Sequence, residues 1–237
     1  MVDFDALWDY DDPAGTEQRF RALLPQLVQT ESYWPLLTQL ARTLGLQGRF
    51  EEGHEWLDQV AAAQPRPDTV VWVRYLLERG RLFNSAGHPD QAQPFFREAW
   101  QLAVPAGFDF YAVDAAHMLA IVASPPEQIG WNEQAIALAK GSPDPRARNW
   151  LGSLYNNLGW SYHDLGDYPT ALALFEQALD FRRQQGRPKQ IAIAQWCVAR
   201  CLRSLGRRQE ALSILQTLSP DDPYVQEELG LNVNSEL

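Results

Sequence analysis

The sequence lacks any long apolar run. No stretch of its 237 residues approaches the roughly 20 consecutive apolar residues that a transmembrane helix requires. The amino terminus, MVDFDALWDYDD, is acidic, which is the opposite of the basic start of a signal peptide. Hydrophobic residues make up 46% of the chain and charged residues 21%, which excludes wholesale disorder. These features predict a folded cytoplasmic protein with no membrane partner, and we expect one continuous domain.

Cysteine is scarce as well. Cys197 and Cys201 are the only two, and they lie four residues apart on a predicted helix. No second pair of cysteine or histidine residues stands at metal-ligand spacing, and helical geometry does not favour a disulfide between the two thiols. We therefore expect two buried thiols and no metal site.

Catalytic motifs are missing from the sequence. It contains no nucleophile beside a base, no paired-carboxylate site, no phosphate-binding loop and no metal cluster at usable spacing. His163 and Asp164 are adjacent on a predicted helix, so their side chains point about 100° apart and cannot share a proton. The sequence predicts a protein that is not an enzyme and needs no cofactor.

Basic residues are missing from the carboxyl end. Residues 219–237 carry five acids and no base, and residues 1–34 carry seven acids and two arginines, so each end contributes -5 to the net charge of -10. Residues 35–218 hold 18 acids and 18 bases, so the body of the chain is neutral. A chain with acidic ends and a neutral body is a poor ligand for phosphate backbones. We expect no nucleic-acid partner.

The sequence does contain an internal repeat. Four segments align on a turn glycine: LQGRFEEGHEWLDQV, SAGHPDQAQPFFREA, DLGDYPTALALFEQA and SLGRRQEALSILQTL. A fifth, degenerate copy has Ser124 in place of the glycine. The five turn positions, at residues 48, 87, 124, 166 and 206, are separated by steps of 39, 37, 42 and 40 residues. Each step has room for two helices, a turn and a linker.

The clearest copy shows how its two helices pack. Before the turn, apolar and small residues recur at i, i+3, i+4 and i+7, and after it at i, i+4 and i+7, so each set lies on one helix face. Phe175 can pack where Gly159 and Ala171 let the two backbones approach closely. The two sets are Tyr155, Leu158, Gly159 and Tyr162, then Ala171, Phe175 and Ala178.

At these residues the segment resembles a tetratricopeptide repeat. The resemblance implies an all-α fold: a right-handed superhelix of about five helical hairpins, with an N-terminal helix leading into it and a short C-terminal capping helix. The predicted copies span residues 33–66, 68–106, 108–141, 145–186 and 188–219. Residues 1–32 form the acidic N-terminal segment with its helix, Pro13 to Val28, which Pro25 should end or kink. Residues 220–237 form the acidic C-terminal cap and tail, with a helix from Tyr224 to Leu231.

The resemblance also implies a concave groove lined by the first helix of each copy. Transferred to this chain, the lining positions are Arg42, Arg74, Leu77, Arg81, Asn84, Asp114, Met118, Asn156, Trp160, His163, Trp196, Arg200 and Arg203. Five arginines would then face the groove against one aspartate. Arginine and tryptophan are enriched at binding hot spots, and arginine holds carboxylates with two hydrogen bonds. Arg42, Arg81 and Arg200 occupy equivalent positions and should form a row interrupted by Met118 and Trp160.

These features predict a protein-interaction scaffold that holds a peptide or protein segment with acidic and apolar groups. The chaperone-tail clamp of the family does not fit, because only Asn157 matches its pattern of lysine, asparagine and arginine. The alternative is a regulatory sensor that closes over a short peptide or a small metabolite.

Overall fold

A computed structural model describes residues 4–63 and 69–233, and within these residues the regular structure is entirely helical. After a 3-10 turn at Asp5–Leu7, the helices are α1 (Pro13–Leu27), α2 (Tyr33–Leu46), α3 (Phe50–Ala61), α4 (Thr69–Ser85), α5 (Pro89–Ala103), α6 (Asp109–Val122), α7 (Pro125–Gly141), α8 (Pro145–Arg148), α9 (Leu151–Asp164), α10 (Tyr168–Gln185), α11 (Pro188–Ser204), α12 (Arg208–Leu215) and α13 (Pro223–Val233). The predicted all-α class is confirmed. The predicted boundary between the first two copies, at residues 66–68, lies outside the described residues.

The chain divides into two compact units, where we expected one continuous domain. Unit 1 is Met1–Ser124 and unit 2 is Pro125–Leu237. In unit 1, α2 packs on α3 and α4 on α5, and α6 packs on α5. In unit 2, α7 packs on α9, α9 on α10, and α11 on α12. The predicted third copy, residues 108–141, is therefore divided, with α6 in unit 1 and α7 in unit 2.

The turn chemistry explains where the division falls. Gly166 has φ +79, and its N–H donates to the His163 carbonyl at 2.9 Å while the Asp167 N–H donates to the Tyr162 carbonyl at 3.0 Å. This is a Schellman turn, which needs a left-handed residue that glycine supplies without steric cost. The same pair of bonds closes the turns at residues 48, 87 and 206. The degenerate copy has no such glycine: α6 ends at Val122, and the backbone of the next residue, Ala123, is extended with ψ 160.

Glycines also set the helix crossings, as the sequence predicts. A Cβ atom on Gly159 would lie 2.7 Å from the Phe175 ring, and one on Gly80 would lie 2.5 Å from the Phe96 ring. Both phenylalanines are completely buried. Such close packing tolerates no added methylene without strain. The predicted contact of Phe175 with Gly159 is confirmed.

Helices at both ends of the chain complete the two units. The predicted N-terminal helix is confirmed as α1, but it continues through Pro25 to Leu27. A proline removes one backbone donor, so this close to the helix end the disruption stays local. The predicted C-terminal cap is confirmed as α13, in which Val225 and Glu228 are buried. Within the described parts of the chain, none of these helices has the length and apolar character to cross a bilayer.

Candidate functional site

The predicted groove positions fall in both units. In unit 1 they form a network of ion pairs that joins α2, α4 and α6. Arg42 Nη1 lies 3.3 Å from Glu78 Oε2, and Arg81 Nη1 lies 2.6 Å from Glu78 Oε1. The other amino group of Arg81 pairs with Asp114. The carboxylates of Glu78 and Asp114 are both buried. The two equivalent arginines of unit 1 are therefore already neutralised by carboxylates of the same unit.

Electrostatics hold this network in its charged form. Burial lowers the pKa of Arg81, but the attraction of Asp114 and Glu78 outweighs burial and raises that pKa above its ordinary value. A buried charge with two hydrogen-bonded partners is stable only while the partners remain. The network is thus a structural element of unit 1.

The N-terminal segment covers the outer arginine of the network. Trp8 and Tyr10 stack with their ring centroids 4.8 Å apart, and the Arg42 guanidinium lies 5.9 Å and 5.8 Å from the two ring centroids. Trp8 Nε1 donates to Gln39 Oε1 at 2.7 Å. Cation–π contacts of this kind hold the aromatic pair against α2. The segment before α1 therefore occupies the surface above Arg42.

Two apolar residues that were predicted to line the groove of unit 1 are buried inside it. Leu77 is 1% exposed and Met118 is 8% exposed, so both pack inside the unit. This corrects their assignment as lining residues, because long apolar side chains on these helices gain more by burial than by facing solvent. Arg74 donates to the Tyr111 hydroxyl at 2.9 Å, and Asn84 is half-buried near the end of α4.

In unit 2 the predicted positions form an aromatic cluster around one arginine. The Arg200 guanidinium lies 5.6 Å from the Trp160 ring centroid and 5.5 Å from that of Trp196, and the two indole rings are 5.9 Å apart. His163 Nε2 lies 3.0 Å from the Ser204 hydroxyl oxygen. Burial lowers the pKa of His163, and the charge of Arg200 lowers it further. The imidazole is therefore held in its neutral form near pH 7.

A single carboxylate from α13 pairs with Arg200 of this cluster and with Arg203. Glu228, which is 0% exposed, accepts from Arg200 Nη1 at 3.0 Å and from Arg203 Nε at 2.7 Å. Trp196 Nε1 donates to the Tyr224 carbonyl at 3.1 Å. The acidic C-terminal segment thus packs against predicted groove residues of α11. The negative charge of Glu228 is therefore paired inside unit 2.

The sequence did not show these pairings. Glu78 was missed because it lies among packing residues of α4, and Glu228 because it was assigned only to a cap. A signal was present: Arg42 precedes Glu78 by 36 residues and Arg81 precedes Asp114 by 33. Each of these arginines lies on the first helix of one copy. Its carboxylate lies on the first helix of the next copy, about one repeat later. Three carboxylates therefore offset much of the positive charge that the sequence predicted for the five groove arginines.

Unit 2 also carries two neighbouring clefts. One cleft of about 140 Å³, called here the polar cleft because five of its nine lining residues have polar side chains, is lined by Gly152, Ser153, Asn156, Asn157, Ala178, Arg182, Gln190, Ile193 and Ala194. An apolar cleft of about 390 Å³ is lined by Lys189, Ala192, Ile193, Trp196, Leu218, Ser219, Asp222, Tyr224 and Val225. Ile193 belongs to both, so the two clefts adjoin. Arg182, a residue of the second helix α10, was not predicted as a site residue.

The two cysteines are buried and unpaired, as predicted. Burial raises the pKa of the Cys197 thiol to about 12 and that of Cys201 to about 11. Such thiols carry almost no thiolate at neutral pH and are unreactive. Among the described residues, no group of three His, Cys, Asp or Glu side chains could hold a metal ion.

Comparison with known proteins agrees with the repeat geometry. Four family models described as tetratricopeptide repeat match residues 34–59, 73–150, 129–184 and 162–226. Together they cover most of the chain. No curated protein matches the sequence.

Several solved structures share the fold. BtubC (BKLC) from P. vanneervenii matches with a TM-score of 0.66 at 16% identity, over 98% of this chain and 92% of that one. A putative kinesin light chain with nearly identical TPR-like repeats from Podosopora anserina matches with a TM-score of 0.61 at 20% identity, over 86% and 99%. A STAND protein with a tetratricopeptide repeat sensor, PH0952 from Pyrococcus horikoshii, matches with a TM-score of 0.72 at 14% identity, over 96% and 34%.

At these identities the structural likenesses show the fold alone. The repeat glycines, the glycine–phenylalanine crossings and the four family matches agree with one another. Repeats of this family typically serve protein interaction, which supports that general role here. The chain belongs to the tetratricopeptide repeat superfamily.

Proposed function

We propose that this protein is a non-enzymatic interaction scaffold and that unit 2 binds an extended segment of a partner protein. The segment lies along α11 and inserts an apolar side chain into the cleft beside Trp196. The observation that carries the proposal is the pair of adjoining clefts that share Ile193, one apolar and one polar. An extended segment with an apolar residue and a polar neighbour contacts both at once.

Exposure of apolar side chains supports this location. Ile193 is 52% exposed and Tyr224 is 65% exposed, and both line the apolar cleft. Large apolar side chains grouped at one cleft are typical of interaction sites, whereas scattered ones are ordinary. The row of Arg42, Arg81 and Arg200 does not enter the proposal, because internal carboxylates pair with all three.

Affinity capture with matched variants tests the proposal. Ile193→Asp places a charge in the shared wall of the two clefts, and we expect it to weaken partner capture at least tenfold, about 1.4 kcal/mol. The control is Ile121→Asp in unit 1, where the isoleucine is 46% exposed. Both variants should melt near the wild-type temperature. Equal capture by the wild type and Ile193→Asp contradicts the proposed surface, and equal loss in both variants contradicts its location.

The alternative, a sensor that closes over a short peptide or small metabolite, has a different physical consequence. Closure reduces the radius of gyration when the ligand binds, whereas a preformed scaffold surface changes little. Small-angle scattering of the protein with and without the captured segment separates the two. An unchanged profile supports the scaffold, and a contraction supports the sensor.

A further inference from the structure

The Arg182 guanidinium occupies a position prepared for it by the fold. It lies against the first turn of α9, where Gly152 leaves room: a Cβ atom on Gly152 would be 2.7 Å from Arg182 Nε. Nη2 donates to the Ser153 hydroxyl at 2.7 Å and Nη1 donates to the Gln185 side-chain oxygen at 2.8 Å. Two neutral acceptors, on Ser153 and Gln185, thus hold the guanidinium at the polar cleft, in space that Gly152 leaves open because it has no Cβ atom.

The positive charge of Arg182 has no carboxylate partner among the described residues. Burial lowers the pKa of Arg182, and the charge of Arg187 lowers it further. Arg183, its exposed neighbour, pairs instead with Asp180 at 3.5 Å. Arg182 therefore differs from Arg42, Arg81, Arg200 and Arg203, each of which is paired with a carboxylate. A partly desolvated cation without a counter-charge is costly unless a ligand supplies one.

The walls of the polar cleft suit an anion. Gly152 and Ser153 lie in the first turn of α9, and Gln190 lies in the first turn of α11. The amino ends of helices carry partial positive charge and favour anions. Amide side chains supply further donors, and no acidic residue lines the cleft. The cleft is therefore electropositive within a chain of net charge -10.

We propose that this Arg182 cleft binds a carboxylate group of the partner segment. The inference rests on the proposed function and adds the chemical class of the group beside the apolar anchor. One guanidinium matches one carboxylate, which it can hold with charge-assisted hydrogen bonds. The arrangement differs from the clamp excluded by the sequence, because its cation comes from a second helix. Either an acidic side chain or a chain terminus supplies the same carboxylate chemistry.

Short capped peptides serve as probes. The first carries a glutamate side chain (acetyl-Ala-Glu-Ala-amide), the second a free carboxyl terminus (acetyl-Ala-Ala-Ala), and the third is the neutral glutamine analogue of the first. Inorganic phosphate is the fourth probe. The NMR resonance of the Arg182 Nε–H group reports binding at the guanidinium itself. We expect both carboxylate peptides to shift this resonance to saturation and the neutral peptide to leave it unmoved.

Variants locate the effect. Arg182→Gln and Gly152→Ala should each weaken binding of the carboxylate peptides at least tenfold, read from the amide resonances of residues 152 and 153. Gly152→Ala acts by displacing the guanidinium, and alanine favours helix, so the fold is retained. Arg183→Gln is the matched control, and it should bind as the wild type does. Tighter binding of the second peptide assigns a chain terminus, and tighter binding of the first assigns an acidic side chain.

Three results overturn the carboxylate site: equal binding of the neutral peptide, unchanged binding by Arg182→Gln, or tighter binding of phosphate than of either carboxylate. These results leave the apolar anchor at Ile193 untouched. Conversely, carboxylate binding at Arg182 together with full partner capture by Ile193→Asp contradicts only the proposed function. The two claims therefore fail separately.

Discussion

Units 1 and 2 use arginine in different ways. In unit 1, Arg42 and Arg81 pair with buried carboxylates on neighbouring helices of the same array. In unit 2, Arg200 and Arg203 share the single carboxylate of Glu228 from the last helix, and Arg182 has no acidic partner among the described residues. The arginines on first helices therefore pair with carboxylates in both units, whereas Arg182, on a second helix of unit 2, has only neutral partners among the described residues.

The largest expected effect comes from breaking the unit 1 network at its shared carboxylate. Glu78→Gln leaves Arg42 without its carboxylate and Arg81 with only Asp114. Loss of one partner from a buried ion pair typically costs about 3 to 5 kcal/mol of unfolding free energy. Denaturant unfolding measures it. Glu55→Ala, at an exposed site of the same unit, should change stability by no more than about 0.5 kcal/mol. A Glu78→Gln protein as stable as the wild type contradicts a structural role for the network.

The matching change in unit 2 is Glu228→Gln. Because Arg200 and Arg203 are partly exposed, we expect a smaller loss, about 1 to 3 kcal/mol. Hydrogen exchange should quicken chiefly in residues 188–218, since repeats transmit stability to their neighbours. Equal quickening throughout both units indicates that α13 stabilises more than the last hairpin.

Helix packing should behave alike in the two units. Gly80→Leu and Gly159→Leu both force a side chain into a buried phenylalanine ring, and overpacking typically costs about 1 to 3 kcal/mol. Thermal melting of each variant measures the cost. Gln177→Leu, at an exposed position of α10, is the control and should melt near the wild type. An unchanged melting temperature for Gly159→Leu shows that the crossing can be repacked without strain.

The smallest effect concerns acid. Burial lowers the pKa of His54 and His117 in unit 1 and of His163 in unit 2. A histidine with a lowered folded pKa binds fewer protons than its unfolded form, so its contribution is complete above the unfolded value of about 6.5. Stability should therefore fall as pH drops below that value towards 5. Melting between pH 7.5 and pH 5 measures this. A stability that increases as the pH falls from 7.5 to 5 contradicts the lowered pKa of these histidines.

Sequence reasoning recovered the features that local spacing encodes. The turn glycines, the crossing of Gly159 with Phe175 and the helices at both ends follow from residues a few positions apart. The ion pairs between helices at the predicted groove positions could not be derived in this way, because they join residues 25 to 36 positions apart. The Arg182 cleft depends on a contact between the end of α10 and the start of α9. The sequence also did not predict that the third copy is divided between the two units. The replacement of the turn glycine by Ser124, followed by Pro125, was the feature of the sequence that marks this position.

Ion pairs join three pairs of helices that lie two places apart in the chain, and these run in one direction. In each of them arginine comes from the earlier helix and the carboxylate from the later one, from α2 to α4, from α4 to α6 and from α11 to α13. The pair of Arg79 in α4 with Asp58 in α3, which are adjacent helices, runs the other way. Such a direction makes the two sides of each pair chemically different, because one helix donates hydrogen bonds through arginine and the other accepts them through a carboxylate. The final helix, α13, accepts the last pair and contains no basic residue with which to continue it. Helix α13 thus carries the accepting half of such a pair and lacks the donating half.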